Sequence, residues 1–159
     1  MRMPDLELLA TDGTLVNPAM VKGRAVWVIY PYTGRPGVLD PEGWDSISGA
    51  HGSTPQLQAY SLCYKTFRKH DMKLFGVSGQ ESLWQQEFVA RCRLSYPLLS
   101  DVGRHFATAM GLERFSAGAT EFLRRRTIIS RDGVVVHDRT RIADPANDAV
   151  EVLAWLETP

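Results

Sequence analysis

Cysteine is scarce in this chain of 159 residues, which has only Cys63 and Cys92. The two form neither a CxxC pair nor a Cys/His zinc pattern, so the sequence excludes a disulfide framework and a structural zinc site. We expect two reduced thiols and no metal or other cofactor. The sequence also lacks an apolar run long enough to span a membrane, and its first residues lack the apolar core of a secretory signal. These absences predict a cytoplasmic protein.

A surplus of charge of either sign is also missing, because 18 basic residues balance 18 acidic ones. No overall field therefore favours nucleic acid or an anionic membrane as a partner. The one basic run is Arg124-Arg125-Arg126. With 44% apolar residues, the chain has enough material for the core of one globular domain over residues 1–159.

Apolar periodicity predicts an alternation of strands and helices. The runs at residues 25–30 and 73–78 are typical of strands buried on both faces of a sheet. Shorter extended segments are predicted at 6–9 with 15–16, at 96–101, and at 127–129 with 134–136. Helical spacing predicts helices at 54–69, 83–93, 102–110 and 145–156. Strand, helix, strand and helix in this order indicate parallel strands joined by crossovers.

The helix that follows the first buried strand has a clear start signal. Thr54 is predicted as its N-cap and Pro55 as its first residue, so Ser53 should lie just before the helix. Between strand and helix, residues 31–52 are rich in glycine, proline and polar residues and should form a long loop. A loop of this length in a compact domain is usually functional or mobile.

Five short motifs are distributed along nearly the whole chain. They are Pro4-Asp5-Leu6-Glu7-Leu8 with Asp12-Gly13, Ile29-Tyr30-Pro31, Phe75-Gly76-Val77-Ser78, Tyr96-Pro97-Leu98-Leu99-Ser100-Asp101, and Arg131-Asp132-Gly133. Their order and spacing resemble the peroxiredoxin family of the AhpC/TSA superfamily, in particular its bacterioferritin-comigratory or Q-type branch. The resemblance implies an α/β fold, namely a single thioredoxin-fold domain with a central mixed sheet flanked by helices. It also implies a thiol-dependent peroxidase that reduces hydrogen peroxide or alkyl hydroperoxides.

The resemblance assigns two positions in the first half of the chain. Ser53 occupies the place of the peroxidatic cysteine, where a helix N-terminus would stabilise a thiolate. Pro31 resembles the proline that shields this cysteine, although residues 35–51 form an insertion between the two. A serine hydroxyl cannot carry out thiol chemistry, so the chain as written should be inert as a peroxidase.

The resemblance also implies an arginine against the reactive position. Arg125 is the best match, because alternation along a strand places it on the same face as Thr127. Arg124 and Arg126 would then point to the opposite face. In the family, an arginine and backbone N–H groups lower the thiol pKa and stabilise the charge on the leaving oxygen.

The threonine with which the family orients the peroxide has no clear equivalent. Ala50 stands three residues before Ser53, and Thr33 and Thr54 are weak substitutes. His51 beside Ser53 does not indicate a hydrolase, because a Gly-x-Ser-x-Gly elbow is missing and neighbours in sequence rarely form a triad.

A second thiol that could resolve a sulfenic acid is also not obvious. Gln58 stands where many relatives keep that cysteine, which excludes a short-loop disulfide. Cys63 lies ten residues beyond Ser53, about 15 Å away along a helix, and could serve only if the helix unwound. Cys92 is the better candidate, because some relatives carry the resolving cysteine in the corresponding helix. Buried structural thiols are the alternative for both.

Three interpretations of Ser53 follow. The leading hypothesis is that serine was introduced deliberately in place of a native cysteine, and the codon for position 53 in the native gene decides it. The alternative is a naturally redox-silent relative that acts as a binding or regulatory module through the loop 31–52. A third is a redox sensor that uses Cys92 alone. The peroxidase interpretation implies a thioredoxin-like or other thiol reductant as partner, and it allows a homodimer.

Overall fold

Nine β-strands form in the computed structural model, which describes residues 1–158. They are β1 (Leu8–Ala10), β2 (Leu15–Val16), β3 (Arg24–Ile29), β4 (Met72–Ser78), β5 (Leu98–Ser100), β6 (Arg114–Ala117), β7 (Thr120–Leu123), β8 (Arg126–Arg131) and β9 (Val134–Arg139). Seven of them form one sheet in the order β2-β1-β5-β4-β3-β8-β9, and β6 pairs with β7 in a separate hairpin.

Five α-helices connect and cover these strands in the described part of the chain. They are α1 (Ser53–Leu62), α2 (Tyr64–Lys69), α3 (Ser82–Cys92), α4 (His105–Met110) and α5 (Asp148–Glu157). Single turns of 3₁₀-helix lie at Pro18–Met20, Trp44–Ser46 and Pro145–Asn147. Within residues 1–158, no helix has the length and apolar character needed to cross a membrane.

The strand β3 is buried between two neighbours. It runs parallel to β4 and antiparallel to β8, and its residues from Ala25 to Ile29 are fully buried. This burial explains the unbroken apolar run, since both faces of the strand are covered. The parallel pairing of β4 with β5 completes the predicted crossovers. The sheet is mixed and flanked by helices, as predicted.

Two hydrophobic layers hold the helices to the sheet. On one face, Trp27 of β3 packs with Phe106 of α4 in the same buried cluster. On the other face, α1, α2 and α3 contribute Tyr60, Phe67 and Phe88 to a second cluster. At ~25 cal/mol per Å² of apolar surface, each such aromatic side chain contributes several kcal/mol to folding. The end of β3 and the start of α1 are therefore held in place by this packing.

The predicted helix 54–69 is wrong in two respects. It begins one residue earlier, at Ser53, with Gly52 rather than Thr54 as N-cap, and it breaks at Cys63 into α1 and α2. The break leaves no trace in the spacing, because Leu57, Tyr60 and Phe67 on either side of it bury their side chains in one cluster. Apolar periodicity therefore continues across the break between the two helices.

One hairpin and the starts of two helices also differ from the prediction. The hairpin β6–β7 was not predicted, because its strands lie outside the main sheet and mix polar with apolar residues. The helix α4 begins at His105 rather than Val102, since Arg104 before it has a left-handed backbone. The C-terminal helix has its first turn as 3₁₀-helix, and α5 itself starts at Asp148.

The long loop 31–52 is ordered around Trp44. This side chain is buried and lies edge-on to Tyr32 and to Phe122 of β7, with ring centroids 5.3 and 4.9 Å apart. Phe115 of β6 completes the cluster at 5.7 Å from Trp44. The unpredicted hairpin thus serves as the platform on which the insertion packs.

Candidate active site

Ser53 is the first residue of α1, and its side chain is buried with 3% exposure. Gly52 before it has φ 110°, and a Cβ at this position would lie 2.9 Å from Pro145, so only glycine fits without strain. Gly52 has no side chain to cap the helix, and Pro55 has no N–H. The amides of Ser53 and Thr54 therefore have no intrahelical acceptor, which leaves the positive end of the helix available to an anion.

The guanidinium of Arg125 lies against this hydroxyl. Its Nη1 donates to Ser53 Oγ at 3.2 Å and to Gln56 Oε1 at 2.5 Å. Its Nη2 faces the last residues of the loop, with the carbonyl oxygen of His51 at 3.1 Å. Arg125 thus connects the end of the loop 31–52 with the start of α1. It also immediately precedes β8 in the sequence.

The buried carboxylate of Asp148 holds Gln56, and through Gln56 the side chain of Arg125, in place. Asp148 has no exposed surface, and its Oδ2 accepts hydrogen bonds from Gln56 at 3.1 Å, Tyr60 at 2.6 Å and Thr127 at 2.7 Å. Arg139 donates to its Oδ1 at 3.0 Å. Gln56 is the link, since it donates to Asp148 and accepts from Arg125. The Arg125 guanidinium is therefore held by a chain of hydrogen-bonded polar groups that reaches Asp148 through Gln56.

Burial shapes the electrostatics of the site. It lowers the pKa of Arg125 to about 10, and the nearby negative charge of Asp148 acts in the opposite direction. Arg125 therefore stays protonated at neutral pH and presents a poorly hydrated positive charge to position 53. Desolvation and the neighbouring Asp148 raise the pKa of Tyr60, which keeps its phenol neutral as a donor. The site can stabilise an anion on residue 53 and a negative oxygen beside it.

A small cavity of about 250 Å³ leads to Ser53. Its wall combines loop and helix residues, among them Tyr32, Trp44, Thr54 and Pro55. Its size suits a small substrate. A model of the family described as Redoxin matches residues 1–153. The chain belongs to the redoxin family.

Relatives of this redoxin are peroxiredoxins. The chain is 26% identical over 156 residues to peroxiredoxin Q, chloroplastic, of Oryza sativa subsp. japonica, in an alignment that covers 98% of this chain and 64% of that protein. The chain thus spans less than two thirds of the length of this relative.

Two solved structures share the fold. The bacterioferritin comigratory protein of Xanthomonas campestris has a TM-score of 0.75 and 24% identity, over 98% of this chain and 92% of that one. Peroxidoxin BcpB from Mycobacterium tuberculosis has a TM-score of 0.77 and 23% identity, over 98% and 94%. The predicted thioredoxin-like fold and the predicted resemblance to the bacterioferritin-comigratory or Q-type branch are confirmed.

The three arginines of the basic run have different partners. Arg125 faces Ser53, whereas Arg124 donates to the Ser48 carbonyl and Arg126 pairs with Asp138. The prediction that Arg125 belongs to a strand is wrong, because it lies between β7 and β8, one residue before β8 begins. Arg125 is nevertheless buried, with 9% exposure.

Pro31 and Thr33 lie near the site without touching Ser53. Pro31 is buried and lines a larger cavity of about 570 Å³ rather than the Ser53 cavity, while Tyr32 borders both. Thr33 is buried, and its hydroxyl donates to Gln80 Oε1 at 3.2 Å. The structure thus directs Thr33 away from position 53. The shielding role of Pro31 stays a prediction.

Thr54 is the threonine nearest the reactive position. It follows Ser53 directly, is half-buried and lines the same cavity. Its role in orienting a substrate stays a prediction. Ala50 is buried where a family threonine was expected and offers no hydroxyl.

The two cysteines lie away from Ser53 along the chain and in the fold. Cys63 is at the junction of α1 and α2, and Cys92 is the last residue of α3, where Arg91 Nη1 approaches its sulfur at 3.9 Å. Both thiols are free and half-buried at the margin of the second hydrophobic cluster. Cys92 therefore ends a helix, whereas Cys63 both caps the end of α1 and precedes the first residue of α2.

Sequence reasoning missed Gln56, Tyr60 and Asp148. Gln56 and Tyr60 share the inner face of α1 with Ser53, and helical spacing alone could have placed them together. Asp148 is 95 positions away from Ser53, and no local pattern distinguishes it from an exposed helix cap. Within residues 1–158, no group of three or more histidine, cysteine or acidic side chains is arranged to hold a metal.

Proposed function

We propose that this redoxin is a thiol-dependent peroxidase scaffold whose reactive position is residue 53. The observation that carries the proposal is the contact of Arg125 with Ser53 at the uncapped N-terminus of α1. A cation and free amides around one buried side chain are the features that activate a cysteine thiolate. Membership of the redoxin family supports the same chemistry.

The reaction needs sulfur at position 53. A thiolate there attacks one oxygen of a hydroperoxide, the O–O bond breaks, and the leaving oxygen takes a proton to become an alcohol or water. The sulfur is oxidised to a sulfenic acid, and a thiol reductant then forms a mixed disulfide with loss of water. Arg125 would hold the developing negative charge on the leaving oxygen.

The substrate class follows from the cavity and from one relative. Hydrogen peroxide and small alkyl hydroperoxides fit the cavity of about 250 Å³ at Ser53. Alkyl peroxide reduction is an activity of the Xanthomonas campestris protein that shares this fold. We therefore assign hydroperoxides of modest size to the scaffold.

Serine makes the present chain inactive in this proposal. A hydroxyl keeps its proton at neutral pH and forms no sulfenic acid, so the first step is lost although the surrounding donors are in place. We favour a replaced native cysteine, because the contacts around position 53 are those that a thiolate needs. A serine codon in the native gene would remove this explanation.

An external thiol is the simplest reductant for the restored enzyme. Cys63 is ten residues along the chain from position 53, at the opposite end of α1, about 15 Å away. A disulfide requires Cα atoms within roughly 7 Å, so an internal bond would require α1 to unwind. A thioredoxin-like protein or a small thiol can approach the N-terminus of α1 directly.

The test is restoration of the thiol by Ser53→Cys. We expect peroxide consumption coupled to a thiol reductant, at ~10²–10³ times the rate of an unactivated protein thiol, since preorganised donors supply a factor of that size. Peroxide loss and thiol oxidation are followed together. The matched control is the same substitution at the half-buried Ser61, and equal rates in the two variants would refute the assignment of position 53.

A redox-silent binding module is the second candidate. Its specific support is Thr33, which hydrogen-bonds Gln80 instead of facing the reactive position, together with Gln58 where a second cysteine was expected. This candidate predicts that Ser53→Cys stays inert and that peroxide oxidises neither Cys63 nor Cys92. A sensor that uses Cys92 predicts fast oxidation of that thiol in the unmodified chain.

A further inference from the structure

A second cavity, of about 460 Å³, borders Arg125 on a side that does not include Ser53. Its wall is strongly basic although the chain as a whole has no net charge. The ionisable side chains that line it are Arg124, Arg125, Arg126, Arg141 and Glu113. We call this the arginine cavity. A concave surface lined by one sign of charge concentrates counter-ions.

Carboxylates of the chain neutralise only part of this charge. Arg126 is paired with Asp138, with Nε at 2.8 Å from Oδ1. Arg124 is half-exposed and reaches Glu113 at only 3.9 Å, which is a weak surface pair. Arg141 is exposed and forms no ion pair within residues 1–158. Between one and two positive charges at the cavity mouth therefore lack a partner.

Arg125, which also lines the cavity, has one donor without an acceptor in the part of the chain that the structure describes. The residue is 9% exposed, and its Nε is buried with no hydrogen-bond partner in the described chain. A buried N–H without a partner costs about 1–3 kcal/mol, so proteins rarely leave one unsatisfied. The guanidinium that contacts Ser53 is therefore not fully paired within the described residues.

We propose that the arginine cavity binds a phosphate group, either free or as a small phosphomonoester. The planar fork of arginine matches a tetrahedral oxyanion in bidentate geometry, and several arginines around one cavity favour a multivalent anion over a single carboxylate. The volume exceeds that of a bare ion and leaves room for a short organic group. This site does not depend on the peroxidase proposal, because Ser53 does not line it.

Isothermal titration of the full chain tests the site with inorganic phosphate as the probe. Sodium chloride keeps the ionic strength constant, so that nonspecific screening does not change during the titration. We expect saturable binding at one site. The variant Arg124→Gln with Arg141→Gln should weaken it at least ~10-fold, since each charge-assisted hydrogen bond contributes more than a neutral one.

The matched control is Arg68→Gln, which removes an equally exposed arginine outside the cavity and should leave the affinity unchanged. Circular dichroism of each variant verifies that the side-chain changes left the fold intact. Absence of saturable heat, or equal affinity in the double variant and the unmodified chain, overturns the proposal. A parallel titration with glycerol phosphate distinguishes the sources: tighter binding of the ester assigns the site to phosphorylated metabolites, and tighter binding of inorganic phosphate assigns it to the free ion.

Discussion

The surroundings of residue 53 differ from those of the two cysteines. Ser53 begins α1, with a guanidinium 3.2 Å from its oxygen and uncapped amides around it. Cys92 lies at the C-terminal end of α3, where the helix dipole offers no stabilisation to an anion, and Cys63 lies at the break between α1 and α2. Cys92 has the guanidinium of Arg91 3.9 Å from its sulfur but no helix N-terminus beside it. Of the three positions, position 53 alone combines a hydrogen bond from a buried guanidinium with the first turn of a helix. The position best suited to hold a thiolate therefore has no sulfur.

The surroundings of position 53 and of the two cysteines also differ in polarity. The site at position 53 is backed by a polar chain from Arg125 through Gln56 to the fully buried Asp148. The cysteines pack at the margin of an apolar cluster. A buried polar network lowers the stability of the fold unless its polar groups are hydrogen-bonded. Its presence therefore marks a place where the fold keeps side chains in position for a function.

The largest expected effect comes from breaking this network at Asp148→Ala. Removing a carboxylate that accepts from three side chains and pairs with Arg139 should reduce the free energy of unfolding by about 3–5 kcal/mol. Urea denaturation followed by circular dichroism measures it. The exposed Asp144→Ala is the control, and a similar small loss in both variants would mean that Asp148 does not support the site.

Arg125→Gln in the Ser53→Cys background tests whether a thiol at position 53 needs the Arg125 guanidinium to react with peroxide. We expect a fall of ~10²–10³-fold in the second-order rate with peroxide, because the main electrostatic donor is lost. Stopped-flow fluorescence or peroxide consumption gives the rate. The surface variant Arg114→Gln should leave it unchanged. A restored thiol that reacts equally fast without Arg125 would contradict the comparison.

The cysteines provide the next test. Cys63→Ser and Cys92→Ser should each change stability by about 1 kcal/mol or less, since both side chains are half-buried. Neither change should slow peroxide consumption by the Ser53→Cys variant when an external thiol is supplied. Mass spectrometry after peroxide treatment locates the oxidised sulfur. Loss of turnover in Cys92→Ser alone would instead identify Cys92 as the resolving thiol.

The smallest expected effect concerns His137, which lies outside both regions. Its ring stacks on Trp155 with centroids 4.2 Å apart, and burial, aided by the charge of Arg139, lowers its pKa from 6.5. The unfolded chain therefore binds this proton more tightly, so stability should decline as the pH falls below about 6.5. Thermal unfolding of His137→Gln across this range should show a shallower slope. An unchanged slope would exclude His137 as the cause.

Local sequence determined the elements of this redoxin and the composition of its reactive turn. The apolar run of β3, the spacing of α3 and the glycine and proline around Ser53 each have a cause within a few residues, so they could be predicted. The alternation of Arg124, Arg125 and Arg126 likewise indicated which arginine would face Ser53. Resemblance to a known family supplied the chemistry.

Only the tertiary structure decided which distant groups meet. Asp148 reaches Gln56 and Thr127 because α5 packs against α1 and the sheet, and sequence periodicity does not encode which helices will be neighbours. Trp44 likewise gains its partners from a hairpin 70 to 80 positions further along the chain. Side-chain spacing fixes the face of an element, whereas packing energy summed over the whole core fixes what that face contacts.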